Sequence, residues 1–384
     1  MEATVCRIQQ KVRSNDYALV SPNDFQYSEI GIVDATVILN NPAISLYSVD
    51  PTQRKAIFVE TDPEIDISLP PFYYQSQYCY ARRLFLTSFE TLYELADVAE
   101  KNIDQLVVIY SVGRCGSTWL SKIFAQASGA SSLSEPDVFS QIVLLREPGG
   151  SNECELLKLL QSCLRLVCKP SPQKNVSTYV LKLRSFCIEV CDLINRAFPQ
   201  TQNIFLYRDL EAVVNSSIQV FDFVKDLLPI IKTRIDTFSR MMPLLKHYGQ
   251  EIDYADPYAI DLFIVAWLSV MYRYEQLRND SIPFHTLRYE DLNISPQHHI
   301  SDLFNHYGLV ASELGANWEV LTQDAQAGTS LSRRKENPCV ALPDPSVVRE
   351  RMTYFLNRLL MDCRWYPSPV VPGVRQLAAP IPLG

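Results

Sequence analysis

LVVIYSVGRCGSTWLSKIFAQAS, residues 106–128, holds three kinds of local order in one stretch. Leu106 to Tyr110 is a continuous apolar run, the pattern of a strand buried on both faces of a parallel sheet. Thr118 to Ala127 carries apolar residues at helical spacing, and a tight glycine-containing turn lies between the two. The strand–loop–helix unit recurs: YVLKLRSF (179–186) reads as a strand, IEVCDLINRAF (188–198) as a helix, NIFLYRD (203–209) as a strand and LEAVVNSSIQVF (210–221) as a helix. Alternation of this kind predicts an α/β fold with a central, largely parallel sheet flanked by helices.

Further along, Asp256 to Asn279 reads as a long helix, with Leu262, Val265, Ala266, Trp267, Val270 and Tyr274 supplying core contacts. FHTLRYEDL (284–292) and a helix over His299 to Tyr307 form another unit, and a helix is expected near Val347 to Met361. The final WYPSPVVPGVRQLAAPIPLG (365–384) is too rich in proline for regular structure. Before the opening stretch, Thr87 to Glu100 has helical spacing, and the first ~85 residues read as strand-rich. TVILN (36–40), AISLYSV (43–49) and KAIFVE (55–60) are short β-branched or aromatic runs separated by turn signals. The aromatic FYYQSQYCY (72–80) serves either as a docking surface or, more simply, as packing onto a neighbouring domain. The expected organisation is a strand-rich acidic extension over 1–86, an α/β domain over 87–340, and a helix with a Pro-rich tail over 341–384.

With 384 residues and 47% hydrophobic content, the chain is apolar enough to exclude a wholly disordered protein. Its net charge of −8 lacks the basic footprint of a nucleic-acid binder, so no nucleic-acid partner is expected. The acidity is uneven: residues 1–100 hold 7 basic against 14 acidic side chains, leaving 28 against 29 for the other 284. The N-terminus has no apolar stretch of signal-peptide length, and nothing approaches a membrane span, which predicts a soluble cytoplasmic protein with no membrane partner. Ten cysteines fall below the density of a disulfide scaffold. Cys187 and Cys191 share a helical face and are expected to be buried thiols rather than metal ligands.

A glycine turn between a buried strand and a helix is placed to hold an anion, because unpaired amides and the helix macrodipole both favour negative charge there. Gly113-Arg114-Cys115-Gly116-Ser117-Thr118 does not match the common nucleotide loops. A Walker A loop needs Lys after its last Gly, and here Ser117 follows Gly116 directly, which disfavours an ordinary ATPase or GTPase. A phosphatase using Cys115 would need Arg six residues on, where Ser121 stands, and no G-x-G-x-x-G is present.

Arg114-Cys115-Gly116-Ser117-Thr118-Trp119 resembles the cofactor loop of the sulfotransferase family, with Cys at the usual Ser position. NIFLYRDLEAVVNSSIQ adds a second resemblance: Arg208 ends a strand and Ser216 follows eight positions later in the next helix, as in the family's 3′-phosphate motif. LRYEDL (287–292) is a third and reads as structural, and GTSLSRRK (328–335) is similar to the family's basic closing loop, which implicates Arg333 and Arg334. The resemblance spans roughly Gln105 to Lys335. It implies a P-loop-like fold and a metal-independent, in-line transfer of a sulfuryl group from 3′-phosphoadenosine 5′-phosphosulfate to a hydroxyl or amine on a small-molecule or glycan acceptor.

The same resemblance implies roles for individual residues. Arg114, Cys115, Gly116, Ser117, Thr118, Trp119, Arg208 and Ser216 would bind the donor, with Trp119 stacking on adenine unless it is a core residue. Lys182 would stabilise the bridging oxygen. The Lys-x-His pair of cytosolic members reads Lys182-Leu183-Arg184 here, without the histidine. Glu135, with Asp137 in reserve, is therefore the expected general base, the alternative being that Glu135 caps the next helix. Two other functions stay open: a non-catalytic nucleotide-binding protein of the same fold, and a divergent P-loop kinase with Asp209 on Mg²⁺. The N-terminal extension and residues Pro136 to Lys174 are the segments expected to shape the acceptor site.

Overall fold

A computed structural model of the chain describes residues 1–99, 103–169, 176–310, 324–329, 331–332 and 342–363. The N-terminal part contains β1 (Glu2–Lys11), β2 (Phe25–Asp34), α1 (Val37–Asn40), β3 (Ile44–Asp50), β4 (Lys55–Glu60), α2 (Tyr73–Tyr80) and β5 (Arg83–Ser88). Then come α3 (Phe89–Ala99), β6 (Gln105–Ser111), α4 (Ser117–Phe124), β7 (Ala130–Ser134), α5 (Val138–Leu145), α6 (Glu153–Val167), β8 (Thr178–Lys182), α7 (Cys191–Ala197) and β9 (Gln202–Tyr207). They are followed by α8 (Leu210–Val220), α9 (Val224–Thr233), α10 (Ile235–Phe238), α11 (Leu245–Tyr248) and α12 (Ile260–Asn279). The last are β10 (Phe284–Arg288), α13 (Tyr289–Ile294), α14 (Pro296–His306) and α15 (Pro345–Cys363).

The second sheet is wholly parallel, in the order β10-β9-β6-β8-β7, so the chain is an α/β protein as the alternation predicts. Its central strand β6 is buried from Leu106 to Ser111, because helices cover both faces of a parallel sheet. The chain leaves β6 toward β7 on one side and crosses back to β9 on the other. The carboxyl ends of β6, β8 and β9 thus open onto the crevice where ligands bind in such sheets.

The first sheet is antiparallel, ordered β2-β1-β5-β4-β3. Side chains alternate across it, and both faces are covered over β3, β4 and β5, while β2 at the edge is largely exposed. Phe58 and Phe85 join the core shared with the α/β layers, whereas Ile57, Val59, Leu84 and Leu86 build a second cluster with Tyr47, Tyr74 and Leu331. Within α2 the buried Tyr73 and Tyr74 pack inward, the simpler of the two readings of the aromatic stretch.

TVILN is not a strand but the single helical turn α1. The Thr36 amide donates to Asp34 Oδ1 (2.8 Å), starting the turn, and Ile38 is fully buried. Lys169, far along the chain, donates from Nζ to the carbonyls of Ile38 (2.5 Å) and Asn41 (2.7 Å), capping the exposed end of the turn. β1, β2 and the serine-rich β7 are strands that the sequence reading passed over. Cys187 and Cys191 are free and buried, and burial pushes both thiols up to about 12. No described helix is long and apolar enough to cross a membrane. The proline-rich tail lies outside the described residues.

Candidate functional site

The loop after β6 is bent by a run of left-handed residues: Gly113 at φ +78°, Arg114 at +50° and Gly116 at +82°. Arg114 adopts this conformation at a steric cost that glycine does not bear. A Cβ on Gly116 would come within 2.9 Å of the Tyr289 ring, so glycine is required by space as well as by φ. Tyr289 belongs to the LRYEDL stretch, whose place is thus beneath the loop. α4 then starts at Ser117, aiming its free amides into the crevice.

Arg208, at the end of β9, lies with its guanidinium 4.7 Å from the Tyr289 ring centroid and donates from Nη1 to the Arg114 carbonyl (2.9 Å). The Trp267 indole donates to the Arg208 carbonyl (3.0 Å), fixing it from α12. Arg114 Nε donates to Ser216 Oγ (3.1 Å), and its Nη1 donates to Gln326 Oε1 (2.8 Å). Two motifs about a hundred residues apart therefore meet at one point. Arg208 Nε is buried and has no hydrogen-bond partner among the described residues, a donor available to an anion.

Beside this cluster, β7 and β8 bring Glu135 and Lys182 together. Lys182 Nζ forms an ion pair with Glu135 Oε1, and the Glu135 amide donates to the Lys182 carbonyl (2.6 Å). Glu135 is also held at φ +59°, a conformation that costs energy for a residue with a Cβ. Arg184 Nε lies 3.7 Å from Glu135 Oε2 and 2.7 Å from Asp137 Oδ1.

A cleft of about 1490 Å³ contains both groups. Gly113, Arg114, Gly116, Ser117, Thr118, Trp119, Glu135, Lys182, Arg208 and Ser216 all line it. Cys115 does not: its side chain is fully buried, Sγ points at the Leu206 carbonyl (3.4 Å), and burial raises the thiol's pKa. Only its main chain belongs to the loop's rim, and a thiolate nucleophile is disfavoured. Arg333 and Arg334 lie outside the described residues. Asp137 is withdrawn from any proton-transfer role, its oxygens accepting from the Val20 amide (2.8 Å) and Ser140 Oγ (2.5 Å) and pairing with Arg184. Asp209 Oδ1 accepts from the Glu211 (3.0 Å) and Ala212 (3.4 Å) amides, so it serves as the N-cap of α8.

Of the two segments expected to shape the acceptor site, Asn15, Tyr17, Ala18, Phe72 and Tyr74 of the extension line the cleft. None of the described residues between Pro136 and Lys169 does, because that segment packs α5 and α6 against β3, α3 and α7. Gln326 and Tyr17 were invisible to motif reading. Gln326 belongs to no pattern, and Tyr17 lies in the extension that was expected to shape the acceptor site, without a motif that singles it out.

Fold and cleft together define an α/β protein with a glycine loop and a helix N-terminus at the carboxyl edge of a parallel sheet. The chain belongs to the sulfotransferase family: the model of the sulfotransferase domain matches residues 104–361. Among solved structures, it is similar to the sulfotransferase domain from the curacin biosynthetic pathway, with 17% identity, 65% of this chain and 96% of that chain covered, and a TM-score of 0.37. It is also similar to sulfotransferase STF1 from Mycobacterium tuberculosis H37Rv, with 13% identity, 68% and 80% covered, and a TM-score of 0.35. No curated protein matches the chain.

Proposed function

We propose that this protein transfers a sulfuryl group from 3′-phosphoadenosine 5′-phosphosulfate to a hydroxyl or amine acceptor, without a metal, in the cytoplasm. The observation that carries the reading is the meeting of Arg114, Arg208 and Ser216 at the N-terminus of α4, next to the Lys182–Glu135 pair. The residues fit a nucleotide with two anionic groups: three cations, the amides of a helix N-terminus and the Arg208 Nε that has no partner among the described residues share one cleft. When bound, the donor supplies a sulfuryl group whose bond to the 5′-phosphate oxygen breaks as acceptor oxygen or nitrogen bonds to sulfur, leaving adenosine 3′,5′-bisphosphate.

In this reading Arg208 and Ser216 grip the 3′-phosphate. The loop amides, Arg114, Ser117 and Thr118 hold the 5′ side, where preorganised donors are most effective because they need no rearrangement during transfer. Lys182 balances charge on the bridging oxygen, and Glu135 takes the acceptor proton. Trp119, which packs partly against the core and lines the cleft, stacks on adenine in this reading, and residues 1–86 act as an accessory unit on the 87–340 catalytic unit. Free buried cysteines are in keeping with a reducing compartment. Calorimetry with adenosine 3′,5′-bisphosphate tests the donor site, and sulfur-labelled donor offered to phenols, alcohols, amines, glycans and peptides tests transfer. Absence of nucleotide binding would refute the proposal.

A further inference from the structure

One wall of the cleft comes from outside the family-matched residues. The turn between β1 and β2 carries Asn15, Tyr17 and Ala18 to the cleft's surface, beside the strand ends that bear Glu135 and Lys182. Groups beside Glu135 hold this turn in place. Arg184 donates from Nη1 to the Tyr17 carbonyl (3.0 Å) and from Nη2 to the Ala18 carbonyl (3.4 Å), while Asp137, paired with Arg184, accepts the Val20 amide. Arg13 also donates to the Ala18 carbonyl.

From that anchor the Tyr17 ring reaches across to the loop that follows α8, the helix bearing Ser216. It stacks on Phe223 with centroids 5.6 Å apart and planes 5° from parallel, and meets Phe221 (6.2 Å) and Phe72 (6.3 Å) edge-on. Phe186, Leu227 and Phe263 continue the same apolar lining. The cleft thus carries an aromatic wall next to its charged groups. Such a surface desolvates an apolar body well and offers little to a heavily hydroxylated or anionic one.

Resting on the sulfotransferase reading above, we infer that Tyr17 is a specificity-determining residue of the transfer, forming with Phe223 the wall that selects an acceptor carrying an apolar body next to its nucleophile. Arg184, at the place where cytosolic relatives by resemblance would carry histidine, is a positioning residue that ties this wall to Glu135.

The test compares wild type, Tyr17→Phe and Tyr17→Ala in the full chain. Each is titrated with adenosine 3′,5′-bisphosphate and assayed with sulfur-labelled donor and three probe acceptors: 2-naphthol, 1-octanol and glucosamine. Release of labelled inorganic sulfate is also measured with water as the only acceptor. Wild type should prefer the two apolar probes. Tyr17→Ala should raise their KM at least tenfold and increase sulfate release severalfold, as water gains access. Tyr17→Phe, which keeps the ring, should stay within twofold, and all three should bind adenosine 3′,5′-bisphosphate equally within twofold. A wild-type preference for glucosamine overturns the inference, as does a Tyr17→Ala variant with unchanged KM. If no probe is accepted, unchanged sulfate release overturns it. Loss of adenosine 3′,5′-bisphosphate binding by wild type itself would instead remove the sulfotransferase reading, and this inference with it.

Discussion

Arg208 donates from Nη1 to the main-chain carbonyl of Arg114 across 2.9 Å, so the residue ending β9 holds open the loop that ends β6. The contact joins two neighbouring parallel strands at their carboxyl ends, where Val107 to Ser111 pair with Gln202 to Leu206. It also orients Arg114 so that its side chain reaches Ser216.

Arg208→Ala removes the brace from the loop and, on the proposed reading, a charged donor from the nucleotide. Charged hydrogen bonds contribute about 1.5–3 kcal/mol each, so adenosine 3′,5′-bisphosphate should bind roughly 10- to 150-fold more weakly by calorimetry. Ser216→Ala should cost about threefold to tenfold. Because both side chains act on Arg114, the double variant should fall short of the product of the two losses.

Glu135→Gln keeps size and hydrogen-bonding capacity but cannot accept a proton. Transfer from labelled donor should fall about 10²- to 10⁴-fold, while calorimetric affinity for adenosine 3′,5′-bisphosphate stays within a few-fold. A variant that transfers at the wild-type rate would assign the base to another group.

Gly116→Ala places a methyl group at φ +82°, 2.9 Å from the Tyr289 ring. That ring packs against the Arg208 guanidinium and is not free to swing away. A loss of about 1–3 kcal/mol is expected from the urea midpoint, accompanied by weaker adenosine 3′,5′-bisphosphate binding.

Asp209→Ala removes the α8 cap and should cost about 1 kcal/mol of stability. EDTA should leave both adenosine 3′,5′-bisphosphate affinity and the transfer rate unchanged. A dependence on added Mg²⁺ would revive the kinase reading.

Glu189, away from the cleft, has its carboxyl pushed up to about 8 by burial, against the opposing pull of Arg273 (3.7 Å) and Arg146. Its folded pKa exceeds the ordinary value of 4.5, so the folded state binds the extra proton between the two. The stabilisation is complete below 4.5 and is lost as pH rises through 8. Between pH 5 and 8 the urea midpoint of wild type should therefore fall relative to that of Glu189→Gln. Parallel midpoints would show that Glu189 is ionised throughout.

The amino-acid sequence by itself determined the α/β class and the strand–loop–helix at Gly113. These are local features: a buried parallel strand needs an apolar run, and a left-handed turn beside a helix start needs glycine. Only the tertiary structure decided that TVILN is helical, since the ammonium capping it comes from Lys169. It likewise turned Cys115 into the core, committed Asp137 to Arg184 and the Val20 amide, and brought Tyr17 from the extension to the cleft. Each of these outcomes depends on partners dozens to more than a hundred residues away, whose positions follow from how the two sheets pack and leave no periodicity or spacing in the chain.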